Sequence, residues 1–160
     1  MLIDLVAGLI FSFILFAFQD FDRSLLVAAL IFSILPDIDF VLYHLFQPIN
    51  RFSHKHRRIF HLPIPYILLG LVVLNLLSVE ETYYILFVSL SMWHFIHDTF
   101  SIGYGVQWLF PISTKQYFWG KKVETAKNIF WKLNSDSPKN IDEHANLFGD
   151  DNWFRKSTFK

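Results

Sequence analysis

Leu35-Pro36-Asp37-Ile38-Asp39 decides how this chain is read. It closes an almost unbroken apolar run, residues 25–35, and sets two carboxylates where a core or a bilayer is due. An unpaired carboxylate is so costly to bury that it takes up a proton, a partner or a metal ion. The other motifs of the chain are candidates for what these two aspartates face.

The surroundings are apolar. Of 160 residues, 53% are hydrophobic and 19% aromatic, with 19 Phe, which exceeds an ordinary soluble domain and points to membrane helices. The formal net charge is zero, so no global basic field points to nucleic acid, and no nucleic-acid partner is expected. The chain has no cysteine, which excludes disulfides, thiolate zinc sites and cysteine nucleophiles. Residues 1–18 lack a basic leader and a small-residue cleavage site, and are read as a retained membrane segment.

Outward from the aspartates, the hydropathy pattern predicts four spans. They are residues 2–18, a second run from a Ser24 cap to the Pro36 break with a restart at 40–46, residues 59–77, and residues 83–100. Pro36 disfavours helical geometry at Leu35, so a kink is expected there. The connection at 47–58 carries Arg51, Lys55, Arg57 and Arg58, and the tail after Pro111 is rich in lysine. The other two connections carry Asp20, Asp22 and Arg23, and Glu80 and Glu81. The positive-inside rule then puts the 47–58 loop and both termini in the cytoplasm. In the tail, Val123, Ala126, Ile129, Phe130 and Leu133 predict an amphipathic helix over 122–133. A turn is expected at Ser135-Asp136-Ser137-Pro138, then a short helix over 140–148 ended by Gly149. The expected fold is all-α: a polytopic helical bundle in a membrane-embedded domain, 1–111, followed by a cytosolic helical extension, 112–160, whose protein partner is unknown.

The odd polar residues share one depth in this topology. Asp4 starts the first span, Asp37 and Asp39 end the second, His56 and His61 begin the third, and His94, His97 and Asp98 end the fourth. His94 and Asp98 are i, i+4 and share a helix face, a spacing that suits two ligands of one ion, or a ligand with its orienting carboxylate. Asp37 and Asp39 diverge by about 200° on a regular helix, so both reach one site only if Pro36 disturbs the backbone. Imidazole and carboxylate without thiolate suit zinc, iron or manganese in a hydrolytic site. Each feature also has a plain reading. Asp-x-Asp after proline serves as a turn or cap, and a helical His-x-x-x-Asp as a hydrogen-bonded pair. Asp4 favours a helix N-terminus, the basic loop faces headgroups, and Asp142 and His144 are solvated surface. What favours a site is four separate segments delivering ligand-type residues to one level.

In order and spacing these motifs resemble the YdjM-type inner-membrane metal-dependent hydrolase family. Leu35-Pro36-Asp37-Ile38-Asp39 matches its L-P-D-I-D element in full. His56-Arg57-Arg58-Ile59-Phe60-His61 keeps both histidines and the first arginine of H-R-G-x-T-H. His94-Phe95-Ile96-His97-Asp98 keeps H-x-x-x-D, and Gly105-Val106-Gln107-Trp108-Leu109-Phe110-Pro111 keeps G-V-x-x-L-x-P. The departures are Asp4 where the family has an early His, and Arg58 and Phe60 in place of Gly and Thr. The resemblance covers roughly residues 1–111 and implies an inner-membrane location.

Together, motifs and resemblance predict a membrane-bound hydrolase acting with a metal-activated water on a phosphoester or lipid headgroup. The expected metal ligands are Asp4, Asp37, Asp39, His56, His61, His94 and Asp98. The cofactor is a divalent metal, zinc first, with manganese or iron as alternatives. Asp39 is the candidate general base and Arg57 the candidate anion contact, with membrane lipids as surroundings and as possible substrate. The alternative is a non-enzymatic membrane protein whose cluster is a structural metal site or ion-pair network, with a partner-binding tail.

Overall fold

A computed structural model describes residues 2–18, 20, 22–49, 53–58, 61–100, 105–120 and 132–148. In chain order these form α1 (Leu2–Phe16), α2 (Arg23–Ile34), a 3-10 turn (Leu35–Asp37), α3 (Ile38–His44), a 3-10 segment (Ser53–Arg58), α4 (Pro63–Leu76) and α5 (Glu81–Phe100). Strands β1 (Gln116–Gly120) and β2 (Lys132–Asp136) and helix α6 (Pro138–Phe148) follow.

Helix α2 is capped by Asp22, not by Ser24. The Asp22 carboxylate accepts the Ser24 backbone N–H at 2.8 Å and the Ser24 hydroxyl at 2.7 Å, the bonding of an N-cap. These bonds hold its carboxyl below the usual aspartate range. Pro36 has no N–H to donate, but it does not end the helical path. The backbone tightens into the 3-10 turn and α3 resumes at Ile38, so Arg23–His44 reads as one apolar helix of 22 residues.

Helices α1, α2 and α5 pack around Ala7, Leu25, Ala29, Leu86 and Leu90. Small residues set the spacing: a Cβ on Gly8 would lie 3.0 Å from the Ala29 carbonyl oxygen and 3.1 Å from Ser33 Oγ. Close backbone approach through small residues is how helices associate in lipid. The polarity is inverted relative to a soluble core. Asp4, Asp39, His61, His94 and Asp98 are buried, while Phe13, Val41, Leu45, Leu68, Leu69 and Val72 are exposed. Such an apolar exterior with charge inside belongs to a protein whose solvent is lipid.

Among the described residues, only Arg23–His44 is both long and apolar enough to cross a bilayer. Helices α1 and α4 are apolar but shorter, 15 and 14 residues, about 22 Å at 1.5 Å per residue. The chain is mostly helical, but it is not all-α. β1 and β2 pair antiparallel, Gln116 opposite Asp136 and Gly120 opposite Lys132, and Val106 bridges to Tyr117. Tyr117, Phe118 and Trp119 are strand-favouring residues. The helix expected over 122–133 therefore fails at its end, since Lys132 and Leu133 are in β2, with Leu133 opposite Trp119. Residues 121–131 lie outside the described residues. Ser135 and Asp136, expected in a turn, are still strand.

The final helix starts earlier than expected, at Pro138 in the first turn, where proline fits. Ser137 Oγ accepts the Asn140 N–H at 3.3 Å. Ile141 and Ala145, i, i+4, are its buried face.

Candidate metal centre

Five segments deliver the site. Asp4 comes from the first turn of α1, Asp37 and Asp39 from the tightened turn and the start of α3, His61 from just before α4, and His94 and Asp98 from the last turns of α5. All but Asp37 are buried. His56 lies in the 3-10 segment, but its side chain is outside the described residues.

The two imidazoles are arranged alike. His61 presents Nδ1 to Asp39 Oδ2 at 3.1 Å and Nε2 to Asp98 Oδ2 at 2.8 Å. His94 presents Nδ1 to the Ser33 carbonyl and to Asp4 Oδ1, both at 3.3 Å. Its Nε2 lies 3.4 Å from Asp37 Oδ1 and 3.9 Å from Asp98 Oδ2. A carbonyl oxygen can only accept, so Nδ1 of His94 carries a proton, which leaves Nε2 as the nitrogen that could bind an ion. Asp39 fixes His61 the same way. Each ring thus has a carboxylate on Nδ1 and turns Nε2 towards Asp98 and Asp37 oxygens; with a cation bound between them, both Nε2 atoms would offer it a lone pair. Carboxylate–histidine pairs of this kind orient metal ligands and raise their basicity.

The tightened turn answers the question of the two aspartates. Both reach the cluster, on different rings: Asp37 on the Nε2 side of His94, Asp39 on the Nδ1 side of His61.

Two ligand groups meet the spacing needed for one ion: His61, His94 and Asp98, and Asp4, Asp37 and His94. His94 belongs to both. With its Nδ1 held by Ser33 and Asp4, the first group, joined by Asp37, is the better donor set. The fit can be tested on a single atom: His94 Nε2 is buried and makes no hydrogen bond among the described residues. Charge agrees. Asp4, Asp37, Asp39 and Asp98 border the two rings, and Arg57 Nη2 lies 3.0 Å from Asp98 Oδ2. Carboxylates in such number beside a single arginine need further positive charge, from protons on the rings or from a bound cation. Two imidazoles and two carboxylates suit zinc, with manganese or iron next.

A family model of the YdjM inner membrane proteins matches residues 3–145. The chain belongs to that family. The match reaches through β1, β2 and most of α6, beyond the motifs that end at Pro111. Comparisons with curated proteins and with solved structures give no match.

Two features were not legible in the family motifs. His97 Nδ1 lies 3.5 Å from Asp4 Oδ1, so this half-exposed ring adjoins the cluster from its rim. Asp142, expected on solvated surface, is instead the partner of the basic loop. Arg58 donates to both its carboxylate oxygens, at 2.9 and 3.0 Å, and to the Pro138 carbonyl at 2.9 Å. Lys55 adds a contact at 3.7 Å. The arginines expected to face headgroups therefore point inward: Arg57 to Asp98 and Arg58 to α6. A planar guanidinium on a carboxylate is bidentate and strong. Asp142→Ala is expected to cost ~1–3 kcal/mol by removing both carboxylate acceptors from the part-buried Arg58 guanidinium. Limited proteolysis should then cut the tail faster than in the wild type, while Lys139→Ala, on the exposed side of α6, changes nothing.

Proposed function

We infer that this chain is a membrane-embedded, metal-dependent hydrolase whose substrate is a phosphoester or lipid headgroup at the membrane surface. The observation that carries the reading is the pair of imidazoles, His61 and His94, whose Nε2 atoms converge on Asp98 and Asp37 while carboxylates hold the other nitrogens. A bound divalent ion would supply a water acidic enough to yield hydroxide near neutral pH.

The protein's own groups do the rest. Asp39 and Asp4 orient the rings and keep their protons on Nδ1. In this reading Asp39 acts on His61 and not directly on the water. Asp98 draws Arg57 to the edge of the centre, where its guanidinium can hold an anionic group. In this reading α1, the helix Arg23–His44, α4 and α5 would each cross the inner membrane, the short α1 and α4 by locally thinning the bilayer, with both termini and the site on the cytoplasmic side.

The absence of cysteine makes the topology directly testable. A cysteine placed at exposed Glu80 should react with an impermeant maleimide from outside the cell, and one at exposed Thr114 only after lysis. Equal labelling of both from outside contradicts the orientation.

For the activity, metal-loaded protein in detergent should hydrolyse an aryl phosphodiester, and Asp98→Asn should abolish this. No turnover by a chain that binds metal would favour the structural reading. The Arg57–Asp98 ion pair is the observation on that side, since it shows a cation already neutralising part of the cluster.

A further inference from the structure

The segment Ser53–Arg58 ends in two adjacent arginines that are held by different parts of the chain. Three residues make one turn of a 3-10 helix, so consecutive side chains leave it about 120° apart. Arg57 turns to α5, where its Nη2 lies 3.0 Å from Asp98 Oδ2, and Arg58 turns to Asp142 on α6. Both side chains are part-buried, 16% and 18% exposed. A charge at that depth is costly without its counter-charge.

The segment holds itself weakly. A 3-10 helix has poorer hydrogen-bond geometry than an α-helix and seldom exceeds about four residues, whereas this one has six. Its place therefore depends on its side-chain anchors. The outer anchor is the fuller one. Arg58 donates to both Asp142 oxygens and to the Pro138 carbonyl. Arg57 meets an Asp98 oxygen that His61 Nε2 also reaches, at 2.8 Å, and Arg57 Nη1 is buried with no hydrogen bond among the described residues.

Helix α6 is itself docked. Ile141 and Ala145 are buried, and Asn140 Nδ2 donates to Asp136 Oδ1 of β2 at 2.7 Å. β2 pairs with β1, whose Trp119 packs on Phe100 of α5 with 5.1 Å between ring centroids. The contacts close a ring. It leaves the end of α5 at Phe100, runs through the sheet, α6 and Arg58, and returns to α5 where Arg57 meets Asp98.

We propose that Asp142 is a positioning residue: by holding Arg58 it sets Arg57 against Asp98, and so couples the tail to the metal centre. The coupling stands on the ring of contacts; its use in turnover rests on the hydrolase reading. Such a coupling is reciprocal. What Asp142 contributes to the contact of Arg57 with Asp98, Asp98 contributes to the contact of Arg58 with Asp142.

The test measures how fast phenylglyoxal modifies each arginine in the full chain in detergent. Fragment spectra of chymotryptic peptides locate the adduct, and chelator is present so that metal content does not enter. Asp142→Ala should speed modification of Arg58 and also of Arg57, each by about fivefold or more, the lower end of coupling between two sites. Asp142→Glu keeps the carboxylate and should restore slow modification of both. Asp98→Ala should speed Arg57 and, through it, Arg58; this arm decides if Asp142→Ala does not fold. His94→Gln, which alters the centre but leaves both arginine contacts, should change neither rate. If Asp142→Ala speeds Arg58 alone, or Asp98→Ala speeds Arg57 alone, each contact is a local staple and the proposal is overturned. Equal acceleration in His94→Gln overturns it as well, since the cause would be general loosening. Turnover of the aryl phosphodiester by the metal-loaded wild type separates the two claims. Coupled rates without turnover fail the hydrolase reading alone, and turnover with uncoupled rates fails the positioning role alone.

Discussion

His94→Ala protein will bind no divalent ion at concentrations that fill the wild-type chain. His94 belongs to both ligand groups, and its Nε2 is the buried nitrogen that has no hydrogen bond among the described residues. Losing a ligand removes more affinity than losing its orienting partner, for which about 10–100-fold is usual. Asp4→Asn, which acts through Nδ1 of the same ring at 3.3 Å, should therefore weaken binding by about 10–100-fold without abolishing it. His94→Gln keeps more of the side-chain volume and serves where alanine disturbs assembly. Isothermal titration with zinc on detergent-purified protein reads all three. Because protons compete with the metal for both imidazoles, wild-type affinity should rise with pH through the histidine range. If Asp4→Asn were as severe as His94→Ala, Asp4 would be a ligand and the second group the working one.

The largest stability effect is expected at Gly105→Ala, a residue that offers no ligand atom. Gly105 has φ +80°, a conformation that favours glycine. A Cβ there would lie 2.4 Å from the Tyr117 carbonyl oxygen and 2.8 Å from its carbon. That oxygen accepts the Val106 N–H at 2.9 Å, and Tyr117 N–H returns a bond to Val106 at 2.8 Å. Backbone cannot rotate away as a flexible side chain can, so strain and clash add to ~2–4 kcal/mol. The damage should spread along a defined route. Val106 is fully buried, Trp119 of β1 packs on Phe100 of α5 at 5.1 Å, and Trp108 donates to Thr99 Oγ1 at 2.8 Å. The sheet thereby braces the end of α5 that carries His94 and Asp98. Gly105→Ala should lower the melting temperature in detergent and loosen metal binding together. A variant that melts like the wild type would mean that the Val106–Tyr117 bridge is not part of the stable fold.

The sequence was most informative where function requires periodicity. His94 and Asp98 are i, i+4 on one helix, and hydropathy alone puts Asp4, Asp37, His61 and Asp98 at one depth. Three things could not be read locally. Pro36 was expected to break the helix. The tertiary fold turns the disturbance into a 3-10 turn, and this lets Asp37 and Asp39 serve different rings. The strands were hidden because Leu133 fits a helical period as well as a strand face, and only its partner Trp119 decides between them. Arg58 and Asp142 are 84 residues apart, so a substitution that looks like a lost glycine in the loop becomes a contact to the tail only in three dimensions. Span number also exceeds local reading. Length and apolarity mark Arg23–His44, while α1 and α4 depend on how lipid and neighbouring helices accommodate short segments.

On the proposed reading, His61, His94, Asp37 and Asp98 hold one metal ion together. Elemental analysis of the purified wild-type chain, stripped with chelator and reloaded with zinc, tests it most directly. About one zinc per chain is predicted for a single site of this donor set, falling to background in His94→Ala. Zinc near zero in the reloaded wild type, or equal zinc in wild type and His94→Ala, would contradict the account.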